Sequence, residues 1–212
     1  MFKDINKVVR ILVTADFFFN AAFASFAPVF AIFITGQING GSASVAGFAT
    51  ATYWVVKSIF QLPIARFLDK TDGERDDFWA MFFGYFLVGF IPLAYLFASE
   101  PWHLYLIHGV FGFLMAWVVP AWYAIFTRHV DKWRISFEWS LESVFAVGVA
   151  TAGASALGGY VVDHYGFQIL FIAAGLTTFF SALLLLSLRK HLFKRQPLEK
   201  VLPERRNHGP FN

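Results

Sequence analysis

Three ionisable side chains, Asp16, Lys57 and Glu142, fall inside long apolar stretches of this chain. At the centre of a membrane-crossing helix such a group costs about 2.5–3.5 kcal/mol, so it faces a partner, water or a solute. Asp16 and Asn20 stand one helical turn apart and share a face, as do Lys57 and Gln61, with Tyr53 and Trp54 about one turn before Lys57. The long lysine stem can bridge a modest offset in depth, so Asp16 and Lys57 are candidates to meet. Two readings of that pair stay open. It is a static bridge that neutralises two buried charges, or it is the polar centre of a cavity that binds a solute or exchanges a proton with it.

The remaining polar groups divide by depth. Glu142, with Glu138 one turn before it, lies near the start of its apolar stretch, where a helix N-terminus favours acidic groups. Both read as parts of an inner gate, with Arg128 or Arg134 as partner. His108 is a candidate proton relay, against the plainer reading of a neutral ring bonded to a neighbouring helix. Trp117, Trp122 and Tyr123 are candidate cavity walls. Trp102, Tyr105, Trp133 and Trp139 read as anchors at the membrane–water interface. Motifs for other chemistry are missing: the chain has no HExxH pair, no Gly-x-Ser-x-Gly elbow and no Gly-Lys-Ser/Thr phosphate loop. Cysteine is absent and the six histidines are dispersed. No catalytic residue, metal or cofactor is therefore expected.

The elements that must position these residues follow from composition. Hydrophobic residues make up 58% and charged residues 15% of the chain, against about 45–50% and about 25% in soluble domains. The net charge of +3 is no nucleic-acid signature, because the cations flank apolar stretches instead of forming one stripe. They cluster at Lys3, Lys7 and Arg10, at Arg66, Lys70 and Arg75, at Arg128, Lys132 and Arg134, and from Arg189 onward. The alternate connections, around Gly40, Glu100 and His164, carry none. Basic residues stay on the cytoplasmic side during insertion, and about 20 apolar residues cross the hydrocarbon. The pattern predicts an all-α integral membrane protein with six spans, at about 8–34, 46–68, 78–98, 102–127, 137–162 and 168–188, and both termini cytoplasmic. The transmembrane domain covers 1–188, and a basic tail, 189–212, meets membrane lipid or is disordered. Pro28, Pro63, Pro92 and Pro120 fall where they can kink spans. Gly148, Ala152, Gly153, Ala156, Gly158 and Gly159 give the fifth span a small-residue face suited to close packing.

Two stretches carry a resemblance. Ala65-Arg66-Phe67-Leu68-Asp69-Lys70, followed by Gly73-Glu74-Arg75, resembles the signature between the second and third helices of the major facilitator superfamily. Ala65 stands where Gly is usual, and Glu74 interrupts the later basic part. His108-Gly109-Val110-Phe111-Gly112 is similar to the fourth-helix pattern of that family, with His in the place of Arg. The run from Leu157 to Phe171 is similar to its fifth and sixth helices. The resemblance implies a six-helix bundle like one half of a major facilitator fold, whose members pair two such halves about an axis along the membrane normal.

It further implies a half-transporter working as a parallel homodimer in the cell inner membrane. A small-molecule solute, with or without coupled protons, would move by alternating access, as symport or antiport. Asp16, Asn20, Tyr53, Trp54, Lys57, Gln61, His108 and Trp117 would form the cavity. Ala65, Asp69, Lys70, Arg75, Arg128, Glu138 and Glu142 would form the inner gate, with Asp69 capping the partner's fifth helix near Ser136 to Trp139. The alternatives are a non-transporting scaffold or partner subunit, and one half of a longer transporter.

Overall fold

A computed structural model of the chain describes residues 5–70 and 74–193. Lys3, the Gly73 of the inner connection and the tail from position 194 lie outside the described residues. The regular structure of the described residues is all helical, without a strand. In order they form α1 (Lys7–Phe26), α2 (Phe30–Gln37), α3 (Ala43–Leu68), α4 (Arg75–Val88), α5 (Phe90–Tyr95), α6 (Pro101–His129), α7 (Ile135–Leu141), α8 (Ala150–Leu185) and α9 (Arg189–Leu192). A 3₁₀ turn at Ala27–Val29, carrying Pro28, joins α1 to α2, and a π-helical segment, Glu142–Val149, joins α7 to α8.

Local chemistry fixes these boundaries. The Asn6 side chain accepts the Val8 N–H at 2.9 Å, and Ser42 accepts that of Val45 at 3.3 Å, each supplying an acceptor for a helix start. Before α6, Glu100 and His103 form a reciprocal cap, with Pro101 at the first helical position, where its missing N–H does no harm. Gly166, at φ 78°, takes a backbone conformation that side chains with a Cβ resist, and there α8 turns back on itself. The residues before and after the turn, among them Leu157, Val161, Leu170 and Ala174, line one shared groove.

Among the described residues, four helical stretches are long and apolar enough to cross a membrane: Lys7–Gln37, Arg75–Tyr95, Pro101–His129 and the doubled-back Ile135–Leu192. α3 has 26 residues, about 39 Å of helix, but Lys57, Gln61 and Arg66 dilute its apolar character.

Packing then sets who meets whom. α1 lies along α8 and the π segment, α3 lies along α6, and α4 touches both α6 and α8. Two of the close backbone contacts between helices depend on glycine. A Cβ on Gly158 would stand 1.7 Å from the Ser25 carbonyl oxygen, and one on Gly112 would stand 2.4 Å from that of Tyr53. Gly153 and Gly159 have open space instead, so the small-residue face of α8 makes a close approach at Gly158.

One end of the bundle gathers the basic residues. Arg10 shares a cavity there with Leu141 and Ser187, Leu68 shares another with Asp76, and Phe78 packs edge-on against Phe193. The opposite end is closed by the Asn39 N–H donating to the Ser99 carbonyl at 2.9 Å and by the Asn39 amide donating to Glu100 at 3.0 Å. The Gly158 contact yields a direct check. Gly158→Ala should lower stability by about 1–3 kcal/mol through forced separation of α1 and α8. Gly153→Ala should be neutral or stabilising by up to ~1 kcal/mol. Thermal unfolding of both variants in detergent measures the difference.

Candidate functional site

Asp16 sits midway along α1, and its carboxylate is held from two sides. The Asn20 amide donates to one oxygen at 2.9 Å and to the Asp16 carbonyl at 3.0 Å, and the Tyr85 hydroxyl of α4 donates to the other oxygen. Tyr85 is buried and stacks on Phe19 with ring centres 4.3 Å apart, so its hydroxyl is aimed by packing. The Glu142 carboxyl, at the first position of the π segment, comes within side-chain hydrogen-bonding reach of Asp16. π-helical turns are rare and recur at functional sites. Here the segment puts Glu142, Ser143 and Val147 on one cavity wall.

That cavity, of about 320 Å3, is completed by Phe19, Asn20, Met115, Val118, Val119, Trp122, Tyr123 and Trp139. Its aromatic wall is a fixed cluster: Trp122 stacks on Phe126 at 4.6 Å, and Trp139 meets Phe126 edge-on at 4.6 Å. Two polar atoms of the wall are buried without a hydrogen-bond partner, Trp122 Nε1 and Glu142 Oε2. Toward the opposite end of the bundle a second cavity, of about 540 Å3, is lined by Thr50, Tyr95, His108, Phe111, Thr151 and Ser155. Asn20 borders both cavities. His108 is 9% exposed, its Nε2 has no partner, and its ring lies against Phe30 and Tyr95.

Asp16, Asn20 and His108 therefore lie along this pair of cavities, while Tyr53, Trp54, Lys57, Gln61 and Trp117 do not line them. The expected Asp16–Lys57 pair does not form. α3 packs along α6 and not along α1, and the Lys57 ammonium lies over the rings of Trp54 at 4.7 Å and Tyr53 at 5.7 Å. Gln61 follows one turn later on α3. Tyr53 reaches the site indirectly, its ring 4.7 Å from that of Phe111. Trp117 faces the other side of α6, in an apolar groove with Phe67, Trp79 and Phe83.

The gate residues also separate. Glu142 belongs to the cavity, and Trp139, expected as an interfacial anchor, is part of its wall. Arg128 pairs with Asp77 of α4, a residue that sequence reasoning missed, instead of with Glu138 or Glu142. Beside it His129 lies 3.2 Å from Glu74. Burial raises the Glu74 carboxyl above its ordinary range, and His129 and Arg128 partly draw it back. Glu138 is fully buried and accepts the Asp131 N–H at 3.2 Å, bracing the turn into α7. Ala65 accepts the Asp69 N–H at 2.9 Å at the end of α3, Lys70 follows, and Arg75 opens α4. Tyr85 had one sequence signal: in a Phe-rich stretch, it and Tyr95 are the aromatics with a hydroxyl.

The Asp77 side chain is 3% exposed and that of Arg128 is 41% exposed, which makes their pair asymmetric. Arg128→Ala strands a buried carboxylate and should destabilise by about 1–3 kcal/mol, the exposed guanidinium discounting the larger figure for a fully buried pair. Asp77→Ala leaves a guanidinium that reaches water and should be milder, and the double variant should recover part of the loss. Thermal melts of the three variants rank them.

The profile of the Major Facilitator Superfamily matches residues 12–210 of the chain. No curated protein and no solved structure matches it.

Proposed function

Because the chain belongs to the major facilitator superfamily, a family of multi-pass membrane transporters, we propose that it moves a small solute by alternating access. The observation that carries this reading is the Asp16–Glu142 pair. Two carboxyls face each other in a cavity of an otherwise apolar bundle, and among the described residues no salt bridge to a lysine or arginine neutralises them. Intramembrane carboxyls that face a cavity mark proton and substrate paths. Either one can hold a proton or a solute in turn, which is the chemistry of exchange across a membrane. Asn20 and His108 continue the polar lining toward the other end, supplying the second route of access.

In this reading the chain crosses the membrane six times, α3 being one crossing and the turn at Gly166 separating the last two. The basic end, where α1 begins and α9 lies, is on the cytoplasmic side, and the membrane is the cell inner membrane. Alternating access needs two bodies to rock about the site, and a second copy of the chain in parallel orientation would supply the other body. The broad exposure of α3 (Phe48, Trp54, Val55, Ile59 and Leu62) and of the first part of α8 (Leu157 and Tyr160) suits an interface that a partner covers. Asp69, exposed at the end of α3, is then free to cap the partner's α7 near Phe137.

The native absence of cysteine makes the test direct. With Ser143→Cys on the cavity wall, a membrane-impermeant maleimide should label the protein from either face, in right-side-out and in inverted vesicles. Labelling from one face alone, or from neither, removes alternating access. Protein mass in lipid nanodiscs should correspond to two chains; one chain at all concentrations removes the homodimer.

A further inference from the structure

We infer that the solute class is a protonated arylalkyl amine, held by its ammonium at Asp16 and Glu142 and by its ring against Trp122 and Trp139; this deepens the transport reading and rests on it. Among the described residues, no lysine or arginine side chain lines either cavity, and the ammonium of Lys57 is engaged on the rings of α3. An anionic solute would thus meet two carboxyls and no cation. A cation meets both, in surroundings of low polarity where the attraction is strong.

The unpartnered atoms narrow the chemistry further. Glu142 is 6% exposed and its Oε2 accepts no hydrogen bond from the protein, so it suits a ligand with an N–H to give. Asp16 is pre-oriented by Tyr85 and Asn20, each of which takes one lone pair and leaves others for a donor on the solute. A quaternary ammonium fits the charge but cannot supply the hydrogen bond. Trp122, also 6% exposed, presents an unpartnered Nε1–H that suits an oxygen on the solute, such as a hydroxyl. The wall of Trp122, Tyr123 and Trp139 offers ring faces for an aromatic body or for the cation itself. At about 320 Å3 the cavity stands at the small end of ligand sites, whose usual span is about 300–1,000 Å3. One ring and a short amine chain suit it.

The test is equilibrium binding to the full chain in nanodiscs with four probes of similar size. 2-Phenylethylamine should bind saturably, on the order of tenfold tighter than benzyltrimethylammonium or neutral 2-phenylethanol, since a charge-assisted hydrogen bond separates them. Phenylacetate should not bind. Glu142→Gln and Asp16→Asn should each weaken the amine by about tenfold or more, and Lys57→Ala should leave it unchanged. The probe series on the wild-type protein decides even if one variant fails to fold. Phenylacetate binding as well as the amine, equal binding of the alcohol, or an amine affinity unmoved in both carboxyl variants overturns the inference. Amine binding with one-sided labelling at position 143 would sink the transport reading and keep the amine site. Phenylacetate binding with two-sided labelling would do the reverse.

Discussion

The carboxylate of Asp16, gripped by the Asn20 amide and the Tyr85 hydroxyl, is the interaction on which the arrangement of the bundle turns. A charge at that depth is expensive wherever water is scarce, and the neighbouring elements are placed to meet that cost. α4 must bring Tyr85 to α1, which requires its packing between α6 and α8. α1 must approach α8 closely, and Gly158 permits it against Ser25. The Ser181 hydroxyl donates to the Ala15 carbonyl at 2.6 Å, one residue from the carboxylate, and so ties the returning limb of α8 to the same turn of α1. Polar satisfaction and helix adjacency are here a single problem, since lipid offers no alternative partner.

Much of this was legible in the sequence, and the boundary has physical causes. The four-residue spacing of Asp16 and Asn20 reports a shared helical face, and the two do meet. The cation-free connection around His164, set between apolar runs, announced the return of the chain, and the positive φ of Gly166 is how the backbone makes it. Clustering of cations at alternate connections matched the one end where they gather. Each of these signals is local, or depends on the order of elements alone.

What the sequence hid were choices between non-adjacent helices. Lys57 and Asp16 both fall inside apolar stretches, yet that does not say which helix lies beside which, and α3 packs along α6. Arg128 had several acids in reach by sequence order; Asp77 won because α4 begins where α6 ends. Glu142 was read as shallow by counting α-helical turns from Phe137. Position along one helix does not report which neighbour a side chain meets, and packing against α1 puts Glu142 on the cavity wall with Asp16. Trp139 joins the same wall because its ring packs edge-on against Phe126 of α6, a contact between helices that the sequence order does not show.

The π-helical segment has a consequence for chain length. Its hydrogen bonds close over five residues instead of four, as when the Ala150 N–H reaches back to the Phe145 carbonyl. A ring of that kind takes in one residue more than an α-helical turn. Deleting one residue between Glu142 and Val149 therefore acts less as a shortening than as a rotation. It would let the helix close in α-helical register and turn everything before it by about 100°, carrying Trp139 and Glu138 around the axis. The same deletion at the exposed Gly40 turn, within the five residues (38–42) that join α2 to α3, would disturb the loop and its Asn39 contacts without rotating a helix. Insertions and deletions in relatives of this chain should accordingly be scarce in those eight residues and common at the turns.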